Sequence, residues 1–150
     1  MREHADHHDA ELMLRLYELR REDKLRRARE WFMQEFKAAT PEEFEQQCPW
    51  GSESNAFFRM VTTYWEMAAS IVNHGLIKPE FFFETQTEFF GVWEKIKPLA
   101  ESSRQSFKNP HLWENLESLS ADYEKWMSKR APGALQAYRE RIKRRAAKSS

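Results

Sequence analysis

At 150 residues the chain has the length of one domain, enough to bury roughly two thirds of the surface its unfolded form exposes. Four Gly and six Pro are too few for the many tight turns of a β-sandwich or barrel, whereas 32% charged and 14% aromatic residues suit charged helix faces over an aromatic core. The 24 Lys and Arg balance 24 Asp and Glu, so only a local block can carry a strong sign.

Residues 10–39 contain neither Gly nor Pro. Apolar side chains recur there at helical spacing, first at Leu12, Leu16 and Leu19, then at Leu25, Ala28, Phe32, Phe36 and Ala39. The polar block Arg20-Arg21-Glu22-Asp23-Lys24 shifts the register between the two sets, so no coiled-coil heptad is sustained. The pattern still predicts one long helix of roughly 45 Å, longer than a domain of this size is wide, whose charged end projects or meets a partner. Thr40-Pro41-Glu42-Glu43 combines an N-cap Thr, a first-turn Pro and a Glu that can reach back, which starts a short helix. That helix ends near Cys48-Pro49-Trp50-Gly51.

Residues 52–55 offer N-caps for a central helix over residues 56–74, closed by Gly75 in a left-handed conformation and by Pro79. Phe57, Phe58, Val61, Tyr64, Trp65, Ala68, Ile71 and Val72 cover most of its circumference, which predicts burial. With about 100° of rotation per residue, Arg59, Thr62, Thr63, Glu66, Ser70 and Asn73 align as one polar stripe. Lys78-Pro79-Glu80 opens a further helix carrying Phe82, Phe89, Trp93, Ile96, Ala100 and Phe107, with Gly91 and Pro98 as candidate points of kinking or division. Asn109-Pro110 restarts the chain as a helix striped by Leu112, Leu116, Leu119, Tyr123 and Trp126, ending at Ala131-Pro132-Gly133. A last helix has a thin face of Leu135, Tyr138 and Ile142, so residues 134–150 are expected to be dispensable for folding. The fold class is therefore all-α: an antiparallel bundle of five or six helices with a long N-terminal helix, in one domain over residues 1–150, with 1–9 frayed and 143–150 a basic tail.

Tyr64-Trp65-Glu66, Asn73-His74-Gly75-Leu76-Ile77, Trp93-Glu94-Lys95-Ile96-Lys97-Pro98, Arg104 and the stretch 112–119 together resemble an uncharacterised bacterial family, domain of unknown function 4760. The likeness covers the middle half of the chain and rests on a loose pattern of Glu, Gly, Trp, Pro and Arg. Many members of that family carry apolar, membrane-spanning N-terminal segments, and the charged N-terminal helix here departs from that pattern. The resemblance implies no activity, and it directs attention to Glu66, Trp93, Pro98 and Arg104.

Glu66 is the sharpest candidate, expected to be buried and ion-paired with Arg104 from the neighbouring helix or with Arg59 from its own. The alternative is a polar pocket in which Glu66 acts as a general base or holds a small ligand. Leu12, Leu16 and Leu19 are the candidate interface for self-association, and Trp, Tyr and Arg suit contacts with an unknown protein partner. The basic tail holds Arg139, Arg141, Lys143, Arg144 and Arg145 against the single Glu140, and such a block can neutralise phosphates; the cluster at residues 20–29 is offset by Glu18, Glu22, Asp23 and Glu30.

His4, His7, His8, Asp9 and Glu11 have spacings that suit a metal, but at a terminus without a visible second shell they read as solvated. His74 and His111 read as surface or capping residues. Cys48 stands alone, with nothing nearby in sequence to lower its pKa, so it reads as inert. Nucleophile-elbow, zinc-protease and phosphate-loop motifs are absent, and no cofactor, metal or catalytic residue is implied. With no apolar leader and with no uncharged stretch longer than residues 67–77, a cytoplasmic protein without a membrane span is expected. The function that follows is a noncatalytic, self-associating interaction or scaffold module; the alternatives are a ligand-binding or enzymatic seam at Glu66 and a nucleic-acid contact through the tail.

Overall fold

The structure is a computed structural model that describes residues 3–148. Among the described residues the secondary structure is eight α-helices with no strand. They are α1 (His7–Arg20), α2 (Asp23–Gln34), α3 (Pro41–Gln47), α4 (Glu53–Asn73), α5 (Pro79–Phe83), α6 (Glu88–Ser106), α7 (Glu114–Arg130) and α8 (Ala134–Lys148). The apolar helix α4 is central, packing most extensively on α7 and α2 and also on α6, and α8 closes the bundle against α2, α7 and α6.

The long N-terminal helix does not form. The chain turns at Arg21 and Glu22, and the Glu22 carboxylate accepts from the N–H groups of Lys24 and Leu25 to start α2. Two tertiary contacts hold this turn: Arg29 donates through Nη1 to the Arg20 carbonyl at 3.2 Å, and the Tyr64 hydroxyl donates to the Leu16 carbonyl. The register shift at residues 20–24 is thus a helix boundary, and α1 folds onto the body instead of projecting from it.

Residues 1–2 lie outside the described residues, but the rest of the expected frayed start is ordered by its polar groups. Asp6 and Asp9 form a reciprocal capping box on α1, and fully buried Asp9 also accepts the Lys78 backbone N–H at 2.7 Å, where α5 begins.

Local chemistry accounts for several other boundaries. Thr40 caps α3 through Glu43 N–H, while the Glu43 carboxylate reaches Ala39 N–H, one residue upstream of the expected partner. Ser52 caps α4, and Gly75 follows it at φ +80°. The expected division at Pro98 falls instead between Phe83 and Glu88. Helix α6 runs through both Gly91 and Pro98, and Pro98 lies on its exposed side, where water can replace a missing helix hydrogen bond. Gly91 has a packing reason: a Cβ there would collide with the Tyr138 hydroxyl of α8 and crowd Met33 Cε at 3.1 Å.

The core holds two aromatic groups. Phe36, Phe44, Phe58 and Trp113 meet beneath the α3–α4 end, and Phe83, Phe89, Tyr123 and Trp126 meet between α5, α6 and α7. Charged side chains close the gaps between helices. Glu88 receives Arg29 through Nε and Nη2 at 2.7 and 2.9 Å and Trp65 Nε1 at 2.8 Å. Lys95 donates to the Phe32 and Met33 carbonyls in the last turn of α2, and burial pushes its ammonium down to about 8.

Candidate functional site

The polar stripe of α4 divides into two parts with different surroundings. At its C-terminal half, Glu66 accepts three hydrogen bonds from the start of α7: Asn115 N–H at 3.1 Å, Asn115 Nδ2 at 2.9 Å and Leu116 N–H at 2.9 Å. One turn or more along, Asn73 Nδ2 donates to the Asn115 carbonyl and Oδ1 at 3.2 and 3.0 Å. The first turn of α7 leaves its amides without partners inside the helix, and its N-cap, Trp113 at φ +61°, makes no side-chain cap. Glu66 supplies that cap from another helix, and its negative charge meets the positive end of the α7 dipole.

This corrects the expected ion pair. Glu66 is half-buried, and among the described residues neither Arg104 nor Arg59 pairs with it. Arg104 does reach the same junction, donating through Nε to the Leu112 carbonyl at 2.9 Å and through Nη2 to Glu117 at 3.1 Å. The expected helix start at Asn109-Pro110 is likewise displaced: Asn109 Oδ1 accepts from His111 N–H in a turn, and α7 begins at Glu114.

The N-terminal half of the stripe faces an open cleft of about 540 Å³ between α3, α4 and α6. Phe44, Phe58, Leu99, Leu112 and Trp113 supply apolar walls, and Thr62, Thr63, Ser102, Ser103 and Ser106 add hydroxyls. Several of those hydroxyls are already engaged: Thr62 donates to the Phe58 carbonyl, Thr63 to that of Arg59 and Ser102 to that of Leu99. Two aromatic side chains at this cleft remain in solvent, Trp50 at 80% and Phe107 at 74% exposure. Arg59 is oriented by Asn55, whose Oδ1 accepts from Nε at 3.0 Å, and the guanidinium lies over the Trp50 ring at 5.2 Å. Asn55 is itself buried and anchored by Nδ2 to the Cys48 carbonyl at 3.0 Å.

The other candidates separate as follows. Leu16 is buried within the chain and Leu12 packs against the core, whereas Leu19 is 43% exposed, so the three leucines do not form one free face. The tail is less free than its charge suggests. Arg139 donates to Glu94 and Glu124, and its guanidinium covers the Phe90 ring, while Leu135 and Ile142 are buried. Arg141, Lys143, Arg144 and Arg145 remain exposed on α8.

His74 Nδ1 donates to the Ser70 carbonyl at the end of α4, and His111 meets Glu114 in an exposed pair. Cys48 is buried, and burial pushes its thiol up to about 11. Among the described residues no group of three or more His, Cys, Asp or Glu is arranged to hold a metal ion, and no helix is long and apolar enough to cross a membrane. Of the other positions singled out by the resemblance, Trp93 packs against the core and Pro98 is exposed.

Trp50, Lys95 and the Arg29–Glu88 pair carried no signal as individual positions, and Phe107, expected on the apolar stripe, lies just past the end of α6 in solvent. Gly91 stood out in the sequence as a point of kinking or division, whereas its place in the structure is the close approach of Tyr138.

Fold and site together define an all-helical protein whose inter-helix charges cap neighbouring helices and which opens an apolar cleft beside an oriented arginine. The chain belongs to the family described as domain of unknown function (DUF4760), whose model matches residues 5–126, a span that includes both the Glu66 junction and the cleft. No curated protein and no solved structure matches the chain significantly.

Proposed function

We propose that this chain is a noncatalytic helical binding module that takes a small apolar ligand in the cleft between α3, α4 and α6. One observation carries this reading: Trp50 and Phe107 stand in solvent at an apolar cleft of ligand size. Single exposed hydrophobic residues need no explanation, but two large aromatics at one apolar opening make a patch that a bound molecule would cover.

The arrangement favours binding over catalysis. The Glu66 carboxylate is occupied by three donors, and a thiol pushed up to about 11 holds its proton at neutral pH. Self-association through Leu12, Leu16 and Leu19 has less support, because α1 stops at Arg20 and Leu16 belongs to the core.

The test is a titration with dodecanol, an uncharged apolar probe, followed by NMR shifts assigned along the chain. Saturable changes at Phe44, Phe58 and Trp113 that vanish in Ser103→Trp, which fills the cleft from α6, are expected. Absence of saturable binding, or shifts that map away from the cleft, would overturn the reading.

A further inference from the structure

We infer that the ligand of the cleft is a single-chain amphiphile with a carboxylate head, a fatty acid, and that Arg59 is the residue that receives the head. This rests on the cleft being the ligand site and adds the chemistry of the ligand.

Arg59 differs from the other arginines at helix junctions. Arg29 meets Glu88, Arg104 meets Glu117 and Arg139 meets Glu94. No carboxylate lies within ion-pair distance of Arg59 among the described residues, and Glu45, which also lines the cleft from α3, makes no ion pair with it. The side chain is exposed, but its guanidinium is oriented by Nε on buried Asn55 and lies over the solvent-facing Trp50 ring. With Nε engaged, the two Nη atoms make no hydrogen bond to any described residue. A guanidinium in this state presents a planar fork of donors that matches the two oxygens of a carboxylate, and its orientation by Asn55 lowers part of the ordering cost of binding.

The rest of the lining selects against a wholly polar anion. Beyond Arg59 the walls are mostly apolar, with Phe58, Leu99, Leu112 and Trp113; of the polar lining, the hydroxyls of Thr62, Thr63 and Ser102 already donate to backbone carbonyls, which leaves Glu45 and the hydroxyls of Ser103 and Ser106. The charged lining is Arg59 and, from α3, Glu45, which makes no ion pair with it, so the arginine is the group that can receive one anionic head whose apolar chain follows the trough. Trp50 and Phe107 then cover the exposed side of that chain.

The test compares dodecanoate with dodecanol by calorimetry at pH 8, both below their aggregation limits. The full chain should bind dodecanoate at least tenfold more tightly than the alcohol. Arg59→Gln should bring the acid to the affinity of the alcohol, Arg59→Lys should keep a preference for the acid, and Ser103→Trp should abolish both. Equal affinity of the intact chain for acid and alcohol, or a preference that survives Arg59→Gln, overturns the head-group assignment while the cleft reading stands. Binding of both probes that is unaffected by Ser103→Trp, or binding of neither, overturns the cleft reading and this inference with it.

Discussion

Glu66 and Arg59 lie on the same polar stripe of one buried helix, two turns or about 10 Å apart, yet they do opposite things. Glu66 meets three donors of a helix that has no cap of its own, so its polarity serves the packing of α4 on α7. Arg59 is exposed, is oriented by the single hydrogen bond to Asn55 and meets no acid, beside a cleft with two aromatics in water. Polarity on a buried helix therefore does not mark one site. What distinguishes the two ends is whether the neighbouring elements use up the hydrogen-bonding capacity of the side chain.

The most severe way to test the structural half of this comparison is to remove a helix that relies on the same kind of contact. Deleting residues 134–150 strips buried Leu135 and Ile142, the Tyr138 contact and the Arg139–Glu94 pair from the body. Losing that burial costs about 5 kcal/mol, comparable to the whole stability of a small domain, so cooperative unfolding should be lost in a urea titration. This reverses the expectation from the thin apolar face of α8; a truncated chain that unfolds with an unchanged midpoint would break it.

A smaller effect is expected at Gly91. Alanine there meets the Tyr138 hydroxyl, and overpacking of this kind costs about 1–3 kcal/mol. Adding Tyr138→Phe should recover part of the loss, which denaturation of the double variant would show.

Lys95 sharpens the comparison through pH. Its folded pKa, about 8, is below the ordinary 10.5, because burial and then the positive charge of Arg145 disfavour the ammonium. The unfolded chain then holds more protons at this site between those two values. The penalty of charging Lys95 is fully present below pH 8 and is relieved as pH rises towards 10.5. Relative to Lys95→Met, the intact chain should gain stability across that window. A stability difference that stays flat with pH would show that the ammonium is not disfavoured there.

The smallest stability effects belong to the cleft. Trp50→Ala and Phe107→Ala remove side chains that are mostly in water, so each should change stability by no more than about 0.5 kcal/mol. Both should still weaken dodecanol binding, as read by NMR titration. Large losses of stability at these positions would mean that the aromatics belong to the fold.

Much of the architecture was legible where local chemistry decides it. Thr40, Ser52 and Gly75 mark their helix ends through groups that act within a few residues. The break after Arg20 was not legible as a boundary, because Glu is a poor N-cap by preference and the turn depends on Arg29 and Tyr64 from elsewhere. Glu66 was legible as an outlier on a buried helix, but its partners were not. They are mainly backbone amides, which every sequence contains and which only the tertiary arrangement leaves unpaired. Phe107 continues an apolar stripe in the sequence and Trp50 falls in a Pro-Gly break, and only the packing of α3, α4 and α6 shows both in solvent at one cleft.

The division of the α4 stripe is tested most directly by thermal unfolding of Glu66→Ala and Arg59→Gln side by side. Removing the Glu66 carboxylate leaves two α7 amides and the Asn115 side chain without their acceptor, a cost of about 2 kcal/mol and a fall in Tm of roughly 4–8 °C. Arg59→Gln should stay within about 1 °C of the intact chain, as for an exposed side chain away from the core. Equal falls in the two variants, or a larger fall for Arg59→Gln, would contradict the assignment of Glu66 to the fold and Arg59 to binding.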